Sequence, residues 1–386
     1  MVAANWVYQF SILSIAVGII QTPYMASLTA HEHMNVYAYV GMGTSILGLL
    51  IVFLLPIIDN DHLIVYALLI LIIQLLAACV YRVYAIRQFS ECRFHRYWKV
   101  DLFRSMLGFT GWNLFGTIAW MLKDQGINML MNIFGGPVVN AARGISYQVL
   151  SAVQNLVTGF NTAVNPQLTK NFASGNNENF FKLMMTSSKI SFFLLMLIAL
   201  PVMLEIVYLL NLWLVEVPTY TIIFTRLILI EALLSVYSGP MVTSLMATGE
   251  IKWYQIVVGS AMLLNVPLAY LFLHLGYSIL TPLIVSIGVT VLSSVLRLWF
   301  CKHQLGLSIF KYVNNVILPT FVVGLFSAIV PVVVTVFMTD GFLRFVTVTI
   351  VSIMSVSLFT YIFGLNYLER LLLRTILNKT ISKFRR

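Results

Sequence analysis

Charge is what this chain has least of. Only 9% of its 386 residues are Asp, Glu, Lys or Arg, where a soluble domain carries about a quarter. No polar stretch is long enough to form a soluble domain. Cysteine is scarce as well: Cys79, Cys92 and Cys301 stand singly, without CxxC spacing, so neither a disulfide framework nor a thiolate metal site is implied. The GxxxxGK[ST] loop that cradles nucleotide phosphates is missing, and so is a nucleophile elbow. His31 and His33 flank Glu32, but no further ligand follows in step, so they do not read as a metal site. His62, His95 and His303 also fall in or beside loops, and no cofactor motif appears. The first apolar run has no basic segment before it and reads as a span, not a cleavable signal. Acidic residues number 13 against 23 Lys and Arg, a net charge of +10. Because the basic residues gather in short loops between apolar runs, this excess is a membrane signature before it is a nucleic-acid one.

What is present is apolar sequence, 60% of the chain. Runs of about 20 apolar residues, the length of a membrane-spanning helix, fall near 6–27, 36–58, 63–86, 106–133, 138–165, 186–210, 221–246, 253–275, 279–299, 313–337 and 343–364. The expected fold is therefore all-α, a polytopic membrane protein of about eleven spans. One loop holds Arg87, Arg93, Arg96, Lys99 and Arg104; another Lys170, Lys182 and Lys189; a third Lys302 and Lys311. The tail carries Arg370, Arg374, Lys379, Lys383, Arg385 and Arg386. Intervening loops are acidic or neutral, with Asp59 and Asp61, Glu216 and Asp340. The positive-inside rule then puts every basic loop and the tail in the cytoplasm. With that tail and eleven spans, Met1 falls outside. The expectation is a chain shortened by three helices; the alternative is a first helix inserted with its N-terminus outside. Pro23, Pro240, Pro267 and Pro319 lie within spans, as kinks of static packing or as hinges. Thr243, Ser244 and Thr248 follow Pro240 and can bond freed carbonyls.

Two adjoining spans, joined at Gly135-Gly136-Pro137, are not evenly apolar. Asn113, Thr117, Trp120, Asp124 and Asn128 recur at steps of three or four. So do Asn140, Arg143, Tyr147, Ser151, Gln154, Thr158, Asn161 and Asn165. Such spacing keeps each set on one helical face. In lipid a polar face belongs against another helix or a wet cavity, so these helices are expected to line a central cavity. Charges at membrane depth are few. Lys123 and Arg143 read either as receptors for an anionic head group, or as a structural Asp124–Arg143 pair and a lysine reaching for the interface. Glu231 lies mid-span with no cation nearby in sequence, and reads either as a proton- or sodium-coupling carboxylate or as a hydrogen-bonded structural one. The cavity candidates for substrate are thus Lys123, Arg143, Tyr147, Gln154 and Asn128; those for ion coupling are Asp124 and Glu231. Arg226 and Arg344, near outer helix ends, are expected to anchor at the interface.

Several segments resemble one family: WVYQFSIL and IIQTPYMASLTAHEHMNVYAY near the start, then GWNLFG…DQGINMLMNIFGGPVVNAARGISYQV, NPQLTKNFASGN, SGPMVTSLMATGEIKWYQ and LNVPLAYLFLHLGYS. Together they are similar to the polysaccharide-transport branch of the multidrug/oligosaccharidyl-lipid/polysaccharide exporter superfamily. That branch includes the Wzx-type flippases and, more distantly, the MATE drug antiporters. The resemblance implies two helix bundles around a central cavity. Residues 1–105 would be the remnant of the first, 106–311 the second, 312–364 two added helices and 365–386 a basic cytoplasmic tail. It also implies export of an undecaprenyl-diphosphate-linked oligosaccharide across a bacterial inner membrane, with membrane lipids around it and possible H+ or Na+ coupling. No bond is made or broken, so an enzyme is not expected. The competing readings are a MATE-type antiporter, a membrane polysaccharide polymerase or ligase, and an inactive fragment. A polymerase or ligase needs a sizeable outer loop, and every expected outer loop here is short.

Overall fold

A computed structural model describes residues 2–57, 61–93, 98–367 and 369–371. Helix is the only regular structure among them. Eight helical stretches are long and apolar enough to cross a membrane, and a ninth forms if Thr221–Ser235 and Ser238–Ala247, bent by 41°, count as one span. The protein is an all-α polytopic membrane protein. The chain divides into two compact units, Met1–Lys99 and Val100–Arg386.

The first unit holds α1 (Val2–Ala30), α2 (Met34–Leu54) and α3 (His62–Gln88). α1 packs on α3, and its small core joins Leu28 to Tyr81, Ala85 and Phe89. Pro23 lies inside α1, which runs on through it. Asp61 caps α3, its carboxylate accepting from the Leu63 amide; Asp59 lies outside the described residues. At the other end His31 bonds Glu91 and stacks on Phe89 at 4.1 Å, while His33 reaches the Tyr84 hydroxyl at 2.9 Å. The His31 hydrogen bond holds the Glu91 carboxyl below the usual carboxylate range. His95 and Arg96 lie outside the described residues.

The second unit begins with α4 (Val100–Ala173), two helical arms meeting at Gly136. Then follow α5 (Asn177–Leu204), α6 (Ile206–Trp213), α7 (Thr221–Ser235), α8 (Ser238–Ala247), α9 (Lys252–Leu263), α10 (Asn265–His274) and α11 (Thr281–Leu305). After a short α12 (Ile309–Tyr312) come α13 (Leu318–Phe337) and α14 (Phe342–Phe359). α4 packs on α5, α7, α8, α9 and α10, and α11 closes the group against α7, α8, α9 and α10. α13 and α14 pack on each other and on α5, through Phe192, Phe193, Val323 and Val356. Lipid chains are as apolar as these side chains, so tight approach rather than water exclusion holds the helices. At Gly126 a Cβ would stand 2.5 Å from Val266 of α10, so only glycine permits that crossing.

Three of the helix breaks have one cause. A proline ring collides with the carbonyl four residues earlier. For Pro240 that residue is Val236, where α7 ends; for Pro267 it is Leu263, where α9 ends. For Pro319 it is Asn315, inside the π turn Val313–Ile317. The Thr243 and Ser244 hydroxyls do bond carbonyls, but those of Gly239 and Pro240 and not that of Val236.

Several expected boundaries are wrong. The span expected at 186–210 is α5, which starts at Asn177 and ends at Leu204. Lys170 and Lys182 therefore lie on helices. Lys189, expected in a loop, is buried in α5 and pairs with Glu369 at 2.7 Å. Lys189 is grouped with the loop cations although it falls inside the span expected at 186–210; a helix carries a buried cation once a carboxylate reaches it. Arg344 likewise does more than anchor: it pairs at 3.0 Å with Glu205, which is fully buried. Arg226 donates to the Met203 carbonyl at 3.1 Å. In the tail Arg370 is described, whereas Arg374, Lys379, Lys383, Arg385 and Arg386 lie outside the described residues.

Candidate functional site: a polar cavity in the second unit

Gly136 makes the site. Its φ of 74° with ψ of −175° is open to glycine and costly for other residues. It turns α4 back on itself. In a straight helix residues 124 and 143 would stand about 28 Å apart at 1.5 Å per residue. Here Arg143 Nη2 donates to Asp124 Oδ1 at 2.6 Å and to the Asp124 carbonyl at 3.3 Å. Arg143 Nη1 donates to Asn128 Oδ1 at 3.1 Å, and its guanidinium carbon sits 4.4 Å from the centre of the Tyr147 ring. Of the two readings of Arg143, this geometry is that of the structural pair, with the guanidinium held on two sides and over one face.

The second pair joins distant parts of the chain. Lys123 Nζ lies 2.9 Å from Glu231 Oε1, and the Thr290 hydroxyl donates to the same oxygen at 2.8 Å. Glu231 has no cation near it in sequence because its partner lies 108 residues away.

Between these elements is a cavity of about 320 Å³. Of the seven sequence candidates, Lys123, Asp124, Tyr147, Gln154 and Glu231 line it. Arg143 and Asn128 do not; Arg143 holds Asp124, and Asn128 accepts from Arg143. The far ends of the two α4 stripes have other duties. Asn113 accepts from Gln255 at 3.4 Å, Asn161 from Ser191 at 3.0 Å and Asn165 from Thr243 at 3.0 Å. Only the middle of each stripe faces the cavity, and the ends tie helices together.

The fourth wall was missed. α11 contributes Thr290, Ser293 and Arg297. The signal was in the sequence: Ser286, Thr290, Ser293 and Arg297 recur at steps of four, three and four, as in α4. Three of the four are small hydroxyl residues, which also pack helix against helix in membranes, and that commoner role hid the stripe. Ser286 does serve it, accepting from Asn265 at 2.7 Å.

Chemically the site offers two carboxylates, each held by a cation, together with the hydroxyls of Ser235, Ser238, Thr290 and Ser293 and the phenol of Tyr147, inside helices that are otherwise apolar. It can bind a polar or charged group and exchange its internal ion pairs for contacts with that group. No family model matches the sequence, and no curated protein matches it significantly.

Proposed function

We propose that this protein moves a lipid-linked oligosaccharide from the cytoplasmic to the outer leaflet of a bacterial inner membrane by alternating access. The oligosaccharide is carried on undecaprenyl diphosphate, and no bond is made or broken. The observation that carries this reading is the 320 Å³ cavity lined by Lys123, Asp124, Gln154, Glu231 and Arg297 at mid-helix. A polar chamber at that depth costs stability, and transport is a use that offsets it. Its volume suits a sugar or a diphosphate and not a whole oligosaccharide, so the helices around it must part during transport. The resemblance of the sequence to polysaccharide exporters points the same way. In this reading Glu231 is the coupling group: a proton or Na+ taken by its carboxylate releases Lys123 into the chamber.

A MATE-type antiporter is the second reading, favoured by Asp124 and Glu231 both lining the cavity. One experiment separates the two. The full chain is reconstituted into vesicles carrying a fluorescent undecaprenyl-diphosphate oligosaccharide in both leaflets, and a glycosidase outside removes whatever it reaches. The flippase reading expects the protected inner pool to be drained in a protein-dependent way, and more slowly with Glu231→Gln. A protected pool that stays intact, while an organic cation exchanges against H+ or Na+, replaces that reading with the antiporter.

A further inference from the structure

We infer that Arg297 and Ser293 of α11 form an oxyanion subsite for a phosphate or diphosphate group where two neighbouring cavities share Arg297 in their walls. Among the other buried or half-buried cations of the second unit, Arg143 has Asp124, Lys123 has Glu231, Lys189 has Glu369 and Arg344 has Glu205, while Arg226 and Arg370 are half-buried and donate to backbone carbonyls. Arg297 has no carboxylate among the described residues. It is 7% exposed, and its one hydrogen bond goes from Nη1 to a neutral acceptor, Ser238 Oγ, at 3.0 Å. Among the described residues its Nε has no partner, and neither has the hydroxyl of Ser293, one turn earlier and 1% exposed. Arginine keeps its charge at any physiological pH, so burial cannot be relieved by losing a proton. A buried cation without a counter-charge is costly, and a site built to receive an anion accounts for it.

The position fits that role. Arg297 lines the cavity of about 320 Å³ and also a neighbouring one of about 230 Å³ that Asn113, Thr117 and Gln255 border. Trp120 and Met262 border both as well. The guanidinium offers planar, directional donors, and the serine hydroxyl adds another from the same helical face; phosphate oxygens accept such donors strongly. Lys123 and Arg143 are already engaged by carboxylates, so Arg297 is the cation free to take the group. The capture of an oxyanion stands on these contacts alone. Only its attribution to a lipid-borne substrate rests on the transport reading.

The test uses the full chain in detergent micelles, with thermal unfolding followed against sodium diphosphate, against farnesyl diphosphate, and against sodium chloride at matched ionic strength. Wild type should be stabilised by diphosphate beyond the chloride control. Arg297→Gln should unfold at the same or a higher temperature without ligand, because it removes an unpaired buried charge, and should weaken diphosphate binding roughly tenfold or more. Arg297→Lys should restore part of the response. A tighter response to farnesyl diphosphate identifies a lipid-borne group, and an equal one identifies a soluble anion. A fall in the ligand-free unfolding temperature of Arg297→Gln, or its failure to fold, would show a structural tie to Ser238 and overturn the subsite. A wild-type response no greater than chloride gives would overturn it too. Arg297-dependent binding without any flipping would leave the subsite standing and remove the transport reading, whereas Arg297→Gln flipping at the wild-type rate would do the reverse.

Discussion

Arg143 and Asp124 hold the α4 hairpin closed, and their energetics can be read from which partner is removed. Arg143 is 6% exposed and makes three hydrogen bonds across the turn. Arg143→Ala strands the Asp124 carboxylate, a loss of roughly 3–5 kcal/mol for a buried pair. Arg143→Ala combined with Asp124→Asn leaves a neutral pair of polar and apolar groups, and should recover most of the folded protein in the membrane. Thermal unfolding of the two variants measures this directly. A double variant as unstable as the single one would mean that Arg143 works through Tyr147 and Asn128 and not through the ion pair. At this scale the sequence was partly legible. The three-and-four spacing marked both α4 stripes, and Asp124 was paired with Arg143 as one of two readings, because a hairpin at Gly-Gly-Pro puts neighbours in sequence near each other in space. The Lys123–Glu231 pair was not legible, since nothing local records a partner 108 residues away. Arg297 escaped notice because its companions are small hydroxyl residues.

The elements are shaped by two residue types. Proline sets where α7, α9 and the segment before α13 break, each time four residues downstream of the break. Proline inside α1 leaves no such mark, so the ring alone does not decide. Glycine sets the α4 turn. Gly136→Ala forces a Cβ into a backbone region almost reserved for glycine, at a cost of about 1–3 kcal/mol. No neighbouring atom lies within 4 Å of that Cβ, so the whole cost is conformational and Gly136→Ser should match it. Unfolding measurements on the two variants test this; a much larger loss for serine would point to crowding instead. The existence of these helices was legible from apolar runs, whereas their ends were not. α4 and α5 extend past the apolar stretch into charged sequence, since Asn176 caps α5 through the Asn179 amide and backbone hydrogen bonding continues regardless of polarity. The two arms of α4 are helical throughout, yet their polar stripes leave them less apolar than the other spans.

At the scale of the whole molecule, the ion pairs sort the ends of the second unit into two sides. Glu205, just past the C-terminal end of α5, meets Arg344 at the start of α14, and Arg344 also bonds Asp340. Midway along α5, Lys189 meets Glu369, which follows α14. The two helices are therefore antiparallel, with Pro218 and Asp340 toward one side and Asn176 and Glu369 toward the other. Which side faces the cytoplasm is an expectation from charge, and labelling tests it. Lys170, Lys182 and Arg370 lie toward the second side and Glu216 and Asp340 toward the first, so the expectation from the positive-inside rule is a cytoplasmic Asn176. In the first unit, taken by itself, the His31–Glu91 bond brings the end of α1 and the end of α3 together; Arg93 and Lys99 follow in sequence, so the same rule makes a cytoplasmic end the expectation there. In a background lacking Cys79, Cys92 and Cys301, single cysteines at Pro218 and Asp340 should react with an impermeant maleimide on intact cells. Cysteines at Ser90 and Asn176 should react only after permeabilisation. Labelling of Pro218 and Asn176 from the same side would contradict the α5–α14 pairing itself. Outside labelling of Asn176 and Ser90 together, with Pro218 protected, would keep the fold and invert the protein in the membrane, and with it the direction of transport proposed for the cavity.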